Sequence, residues 1–152
     1  MPARPVPTKA QLTYADLDTH YPNDGTSNTR IGGACDTYVN QCAIRMSRAL
    51  AGAGFPLGGN YTKKYGPVCT ADNITHARGA KALADSLFKV LGHPESLTSD
   101  SSAAIDGRKG IVFFHPQKDV VSTHIDLWDG TGTKGYNPFG SGSAKVWFWP
   151  LP

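Results

Sequence analysis

The sequence predicts an α+β domain in which N-terminal helices pack on an antiparallel sheet. Three observations lead there. Between residues 41 and 94 the apolar residues recur at helical spacing, and from residue 110 they gather in short runs rich in β-branched and aromatic side chains. Turn residues bound those runs, and helices followed by strands is the order of an α+β fold. A chain of 152 residues is enough for one domain to bury its own core. No repeat or linker divides it, so residues 1–152 are expected to form a single domain, with residues 1–10 as a loosely packed arm.

QLTYADLDTHY, residues 11–21, reads as a short helix, and NDGTSNTRIGG after it as a polar, glycine-rich loop. The next helix begins near Gln41. Ala43, Met46, Leu50 and Ala53 form its apolar stripe, with Arg45 and Arg48 off the stripe. Asn40 is the candidate N-cap, and Gly52 and Gly54 ahead of Phe55-Pro56 close the segment. THARGAKALADSLFKVLGHP, residues 75–94, predicts another helix. Ala80, Leu83, Ala84, Leu87 and Leu91 line one face, Thr75 caps the start, and Gly92 with Pro94 marks the stop. Gly79 weakens that helix by about 1 kcal/mol relative to Ala. Residues 96–109 read as polar loop. GIVFFH (110–115), THIDLW (123–128) and KVWFWP (145–150) read as strands, with Asp129-Gly130 as a turn after the second.

Charge narrows the function classes. The net charge is only +3, from 15 Lys/Arg against 12 Asp/Glu, and the basic residues are scattered. A nucleic-acid footprint needs them clustered on one face, so nucleic acid is not an expected partner. The balance is compatible with an anionic polymer such as a cell wall. No apolar run approaches the roughly 18 residues that span a bilayer, so no membrane insertion is expected. MPARPVPTKAQL has three prolines and no apolar core, and is not expected to act as a cleavable secretory signal.

Cys42 has the setting most suggestive of chemistry. It falls on the first turn of a helix, where unpaired N–H groups and the positive end of the macrodipole favour a thiolate. The ordinary alternative is a buried structural cysteine. A nucleophile also needs a base, which folding must bring from elsewhere. Of the five histidines, His20 and His93 sit in polar or proline-flanked segments, His76 opens a helix, and His115 ends a strand before Pro116. His124 opens THIDLW, and alternation places it with Asp126 and Trp128 on one face, opposite Ile125 and Leu127. A histidine at a strand start beside a helix N-terminus is how papain-like folds assemble a Cys–His pair. A third polar group should fix the imidazole tautomer. Asn137, expected to come from a neighbouring segment, is the candidate, Asp129 is an alternative that also suits a turn, and Asp126 shares the face of His124 but is expected to lean away along the strand.

Metal ligation is the poorer reading. CxxC, HExxH and GxxxxGK[ST] spacings are lacking, so neither a metal nor another cofactor is expected. Cys35, Cys42 and Cys69 make an odd number of thiols. Cys35 and Cys69 either pair in an oxidising compartment or both stay reduced.

NQCAIRMSRAL (40–50), GFP (54–56), GRKGIVFF (107–114), THIDLWDG (123–130) and VWFWPLP (146–152) together resemble the type VI secretion amidase effectors, specifically their fourth family. The resemblance covers roughly residues 31–152. It implies a papain-like fold of the NlpC type and hydrolysis of the D-Glu–meso-diaminopimelate amide in peptidoglycan stem peptides. It also implies action in the periplasm of a competing bacterium, delivery by a component of the secretion machine, and neutralisation by a cognate immunity protein. Matched residue by residue, Cys42 falls on the family's nucleophile and His124 on its general base. The family's acid lies eleven positions after its histidine, which here is Gly135, and the cysteine pair flanking that acid is absent. A shift of two residues brings Asn137 into the role.

The reaction so implied has backbone N–H groups at the start of the Cys42 helix binding the oxyanion, with Trp128 and Tyr38 as candidates for the groove wall. Three rivals stand beside it: a housekeeping or phage-type wall hydrolase of the same fold, a secreted glycan-binding module with Cys42 structural, and an acyltransferase using the same Cys–His chemistry.

Overall fold

A computed structural model describes residues 12–22, 42–54, 80–97, 101–115, 124–134, 139 and 145–152. Three helices and four strands lie within them: α1 (Tyr14–His20), α2 (Cys42–Gly52), α3 (Ala80–Leu91), β1 (Glu95–Leu97), β2 (Gly110–Phe114), β3 (His124–Trp128) and β4 (Val146–Pro150). The strands form one antiparallel sheet in the order β1-β4-β2-β3. β2 is central, pairing Phe114 with His124 on one side and with Val146 on the other.

The sheet separates two apolar layers because side chains alternate across it. Ile111, Phe113, Ile125, Leu127 and Trp149 join the buried faces of α1, α2 and α3. Val112, Phe114, Trp128, Val146 and Phe148 cover the other side with Leu97 and Ile105. Both faces of β2 are therefore buried, which is why GIVFF is a continuous apolar run rather than an alternating one. Gly110 is required by contact: a Cβ there would meet the Trp149 carbonyl oxygen at 2.1 Å.

Two helix boundaries show recognisable chemistry. Thr13 caps α1 by accepting from the Asp16 N–H at 3.1 Å, and Tyr14 and Leu17 face inward. α3 buries Ala80, Leu83, Ala84, Leu87 and Leu91, the predicted face. It ends at Gly92, whose φ of 85° lets its N–H reach the Phe88 carbonyl at 3.1 Å. Gln41, Thr75 and Gly79 lie outside the described residues.

Two expectations are corrected. α2 is not a one-sided helix: Arg45 and Ser47 are buried along with the apolar stripe, because α1 and the sheet pack against it from different sides. Arg45 compensates its burial by donating from Nη1 to the Pro22 carbonyl at 2.5 Å. Residues 96–109 are not all loop. Glu95–Leu97 form the edge strand β1, pairing with β4 about 50 positions later, and Ile105 is fully buried. Three residues are too few for a period to show, and the strand's partner is remote in sequence.

Candidate active site

Cys42 is the first described residue of α2, which packs on β3, whose first described residue is His124. Cys42 is 2% exposed and carries a reduced thiol. The Cys42 thiol and the His124 ring are hydrogen-bonded to each other. On the far side of the ring, Nε2 lies 2.9 Å from Asp126 Oδ2. With Nε2 so engaged, Nδ1 is the nitrogen left for the thiol.

Asp126 is fully buried, and a buried carboxylate must be satisfied by donors. Its Oδ1 accepts from the Leu127 N–H at 2.8 Å, the Tyr21 hydroxyl at 3.2 Å and the Lys134 N–H at 3.3 Å. Tyr21 arrives from the end of α1, held from below by Arg45 on the neighbouring Pro22 carbonyl. Lys134 also pairs with Asp18, tying the segment after β3 to the same helix.

Burial pulls the His124 pKa down, but the ring's hydrogen bonds to Asp126 and Cys42 and their negative charge outweigh it. The net effect carries it from 6.5 to about 9. Burial, then the charges of Asp126 and Cys42, push the Tyr21 phenol well above 10, so it remains a donor. Thiol, imidazole and carboxylate in a row can ionise sulfur and hold the ring in one tautomer. Among the described residues no group of His, Cys, Asp and Glu is placed to hold a metal ion.

Residues 38–149, more than half of the chain, match the family model described as Type VI secretion system (T6SS), amidase effector protein 4, or Tae4. The chain belongs to the Tae4 family. It is a type VI secretion amidase effector, a hydrolase, and an antibacterial peptidoglycan amidase. The crystal structure of Tae4 from Enterobacter cloacae is similar, with a TM-score of 0.75 at 21% identity over 92% of this chain and 96% of that one. Tae4 from Salmonella typhimurium, in complex with the immunity Tai4 from Enterobacter cloacae, gives 0.75 at 20% identity, covering 92% and 99%. The Tae4/Tai4 effector–immunity structure from Salmonella typhimurium in its selenomethionine variant gives 0.63 at 28% identity, covering 95% and 92%. A comparison with curated proteins finds no match. The papain-like, NlpC-type architecture expected from the sequence is the fold of these Tae4 structures.

Within this Tae4 chain the other sequence candidates fall elsewhere. Asp129, the alternative orienting residue, turns its Oδ1 onto its own turn, accepting from the Thr131 N–H and hydroxyl and from the Gly132 N–H at 2.8–2.9 Å. The Thr131 N–H, foremost, holds its carboxyl below the ordinary value. Asp126, expected to lean away, instead meets the His124 ring. Asn137, Tyr38, His76, Cys35 and Cys69 lie outside the described residues. His20 is exposed in the last turn of α1, His93 is exposed against Phe88, and His115 packs on Phe113 and Trp147. Trp128 is core rather than groove wall, its Nε1 donating to the Ile105 carbonyl at 3.0 Å. Tyr21 was not a sequence candidate. No local pattern marks it, since it meets Asp126 across 105 positions.

Proposed function

We propose that this Tae4 chain cleaves the D-Glu–meso-diaminopimelate amide of peptidoglycan stem peptides with Cys42 as nucleophile, His124 as base and acid, and Asp126 as the orienting group. The observation that carries the reading is the continuous hydrogen-bonded row Cys42–His124–Asp126, assembled from a helix start and a strand start. The Cys42 proton passes to His124 Nδ1, and the thiolate attacks the stem-peptide carbonyl carbon. Backbone N–H groups in the first turn of α2 receive the oxyanion. His124 returns the proton to the leaving amine, leaving the acyl group on Cys42 sulfur. Water, deprotonated by the same imidazole, then releases it. Asp126 keeps the Nε2 proton in place throughout, so Nδ1 faces sulfur in each step.

The chain is delivered by the secretion machine to the periplasm of a target bacterium, where stem peptides are exposed. Its producer carries a cognate immunity protein, as the Tai4 complexes of the Salmonella relatives suggest by analogy. The single-domain reading of residues 1–152 belongs to the same proposal.

Mass spectrometry of muropeptides from digested sacculi tests both bond and nucleophile. The wild-type chain is expected to yield fragments ending in D-Glu and fragments starting with meso-diaminopimelate. Cys42→Ala is expected to lower the yield at least 1000-fold, the scale of losing a nucleophile. Fragments cut at another amide would refute the bond assignment, and an active Cys42→Ala would refute the mechanism.

A further inference from the structure

We propose that Tyr21 is a positioning residue of this enzyme: its hydroxyl, donating to Asp126 Oδ1, fixes the carboxylate that aims the His124 ring at Cys42. The proposal rests on the Cys42–His124–Asp126 reading above and extends it to α1.

The two oxygens of Asp126 have separate duties. Oδ2 takes Nε2 of His124 at 2.9 Å, while Oδ1 gathers two backbone N–H groups and one side-chain donor, Tyr21. The Leu127 and Lys134 N–H groups belong to the backbone of β3 and the segment after it, so they anchor the carboxylate to its own strand. Among the described residues, Tyr21 is the donor that ties it to a different element. Its ring is 6% exposed and joins the core beside α2, so the hydroxyl has little freedom to turn elsewhere.

The segment that carries Tyr21 is held by more than its own packing. Arg45, three residues after Cys42 and 2% exposed, donates to the carbonyl of Pro22, the next residue after Tyr21. The Tyr21 N–H closes α1 on the Asp18 carbonyl at 3.3 Å, and Asp18 pairs with Lys134. One helix, α2, thus presents the thiol and also braces the residue that steadies the carboxylate. This accounts for a buried arginine within the Cys42 motif. The groups facing the phenol are Asp126, Cys42 and Arg45; those facing the His124 ring are Asp126 and Cys42.

Tyr21→Phe removes the hydroxyl and keeps the ring, and thermal melting reports whether the core survives. Stem-peptide cleavage by Tyr21→Phe is expected to lose about tenfold in kcat with KM unchanged, the scale of one hydrogen bond to a charged group. Because Tyr21 acts through Asp126, the loss should vanish in an Asp126→Asn background, whereas a merely structural role would multiply the two defects. Proton NMR supplies an independent readout, with the slowly exchanging His124 Nε2–H signal expected to broaden in Tyr21→Phe. Asp126→Asn as active as wild type would overturn the reading on which this rests. An impaired Asp126→Asn beside a Tyr21→Phe with wild-type kcat and a sharp Nε2–H signal would overturn the Tyr21 proposal alone. Should Tyr21→Phe melt early, Arg45→Lys replaces it, because it loosens the Pro22 contact while keeping both the phenol and the positive charge that faces it. Broadening of the same signal is then expected, and an unchanged signal would overturn the proposal.

Discussion

His124 shows how two hydrogen bonds reverse the usual effect of burial on an imidazole. A histidine removed from water ordinarily loses its proton more easily. Here Asp126 and Cys42 hold it, and the ring titrates near 9. Sacculus digestion is therefore expected to hold through neutral pH and to decline as pH rises through about 9, where the leaving amine loses its acid; a pH–rate profile with its basic limb near 7 would contradict this. The sign for stability follows from the same raised value. The protonated ring's contribution is fully present below 6.5 and disappears as pH climbs through about 9, so the melting temperature should be lower at pH 9.5 than at pH 6.5. The Cys42–His124 pairing was legible in the sequence because a cysteine at a helix start and a histidine at a strand start each carry a local mark. The partnership of Asp126 was half legible. Strand alternation put it on the right face, but whether a side chain two positions along meets the ring depends on rotamers that no pattern records. Tyr21 was illegible, being a tyrosine on a short helix whose partner lies 105 positions away.

Among the elements, β2 is the one on which the others depend. It pairs with β3 on one edge and β4 on the other, and both of its faces are covered. Gly110→Ala tests that constraint. The added methyl would sit 2.1 Å from a backbone oxygen of β4, which cannot swing aside as a side-chain tip can. A loss of about 1–3 kcal/mol in urea unfolding is expected, with the strands beside β2 forced to shift. Three of the four strands were readable from composition, since a doubly covered strand must be apolar throughout and β4 carries aromatics. β1 escaped because Glu95 and Ser96 are exposed and only Leu97 turns inward. α3 was readable along its inner face except at Ser86, a polar residue buried beside the predicted stripe. α2 was readable only in part: its burial on several sides is imposed by α1 and the sheet, and Arg45 lies inside because a carbonyl awaits it there.

At the scale of the molecule, remote segments are stitched to one another by single contacts. The Tyr14 N–H donates to the Pro152 carbonyl at 2.9 Å, the Leu151 N–H to Lys109, and Trp149 Nε1 to the Gly92 carbonyl. Pro152 thereby holds the start of the helix that delivers Tyr21, and Leu151 holds the residue before β2. Deleting Leu151 and Pro152 removes a buried leucine and two backbone hydrogen bonds, about 2–3 kcal/mol of stabilisation. The melting temperature is expected to fall by roughly 4–12 °C, measurable by calorimetry.

The strand order has a consequence for how a toxin is made. β4 is the last of the four described strands, yet it sits between β1 and β2 in the sheet. A ribosome that has translated as far as Lys145 has made a chain with a slot in the middle of its sheet and no means of filling it. Such distant pairings form late and slowly. The bacterium that synthesises this weapon therefore handles a nascent chain whose sheet stays open until residues 146–150 have emerged.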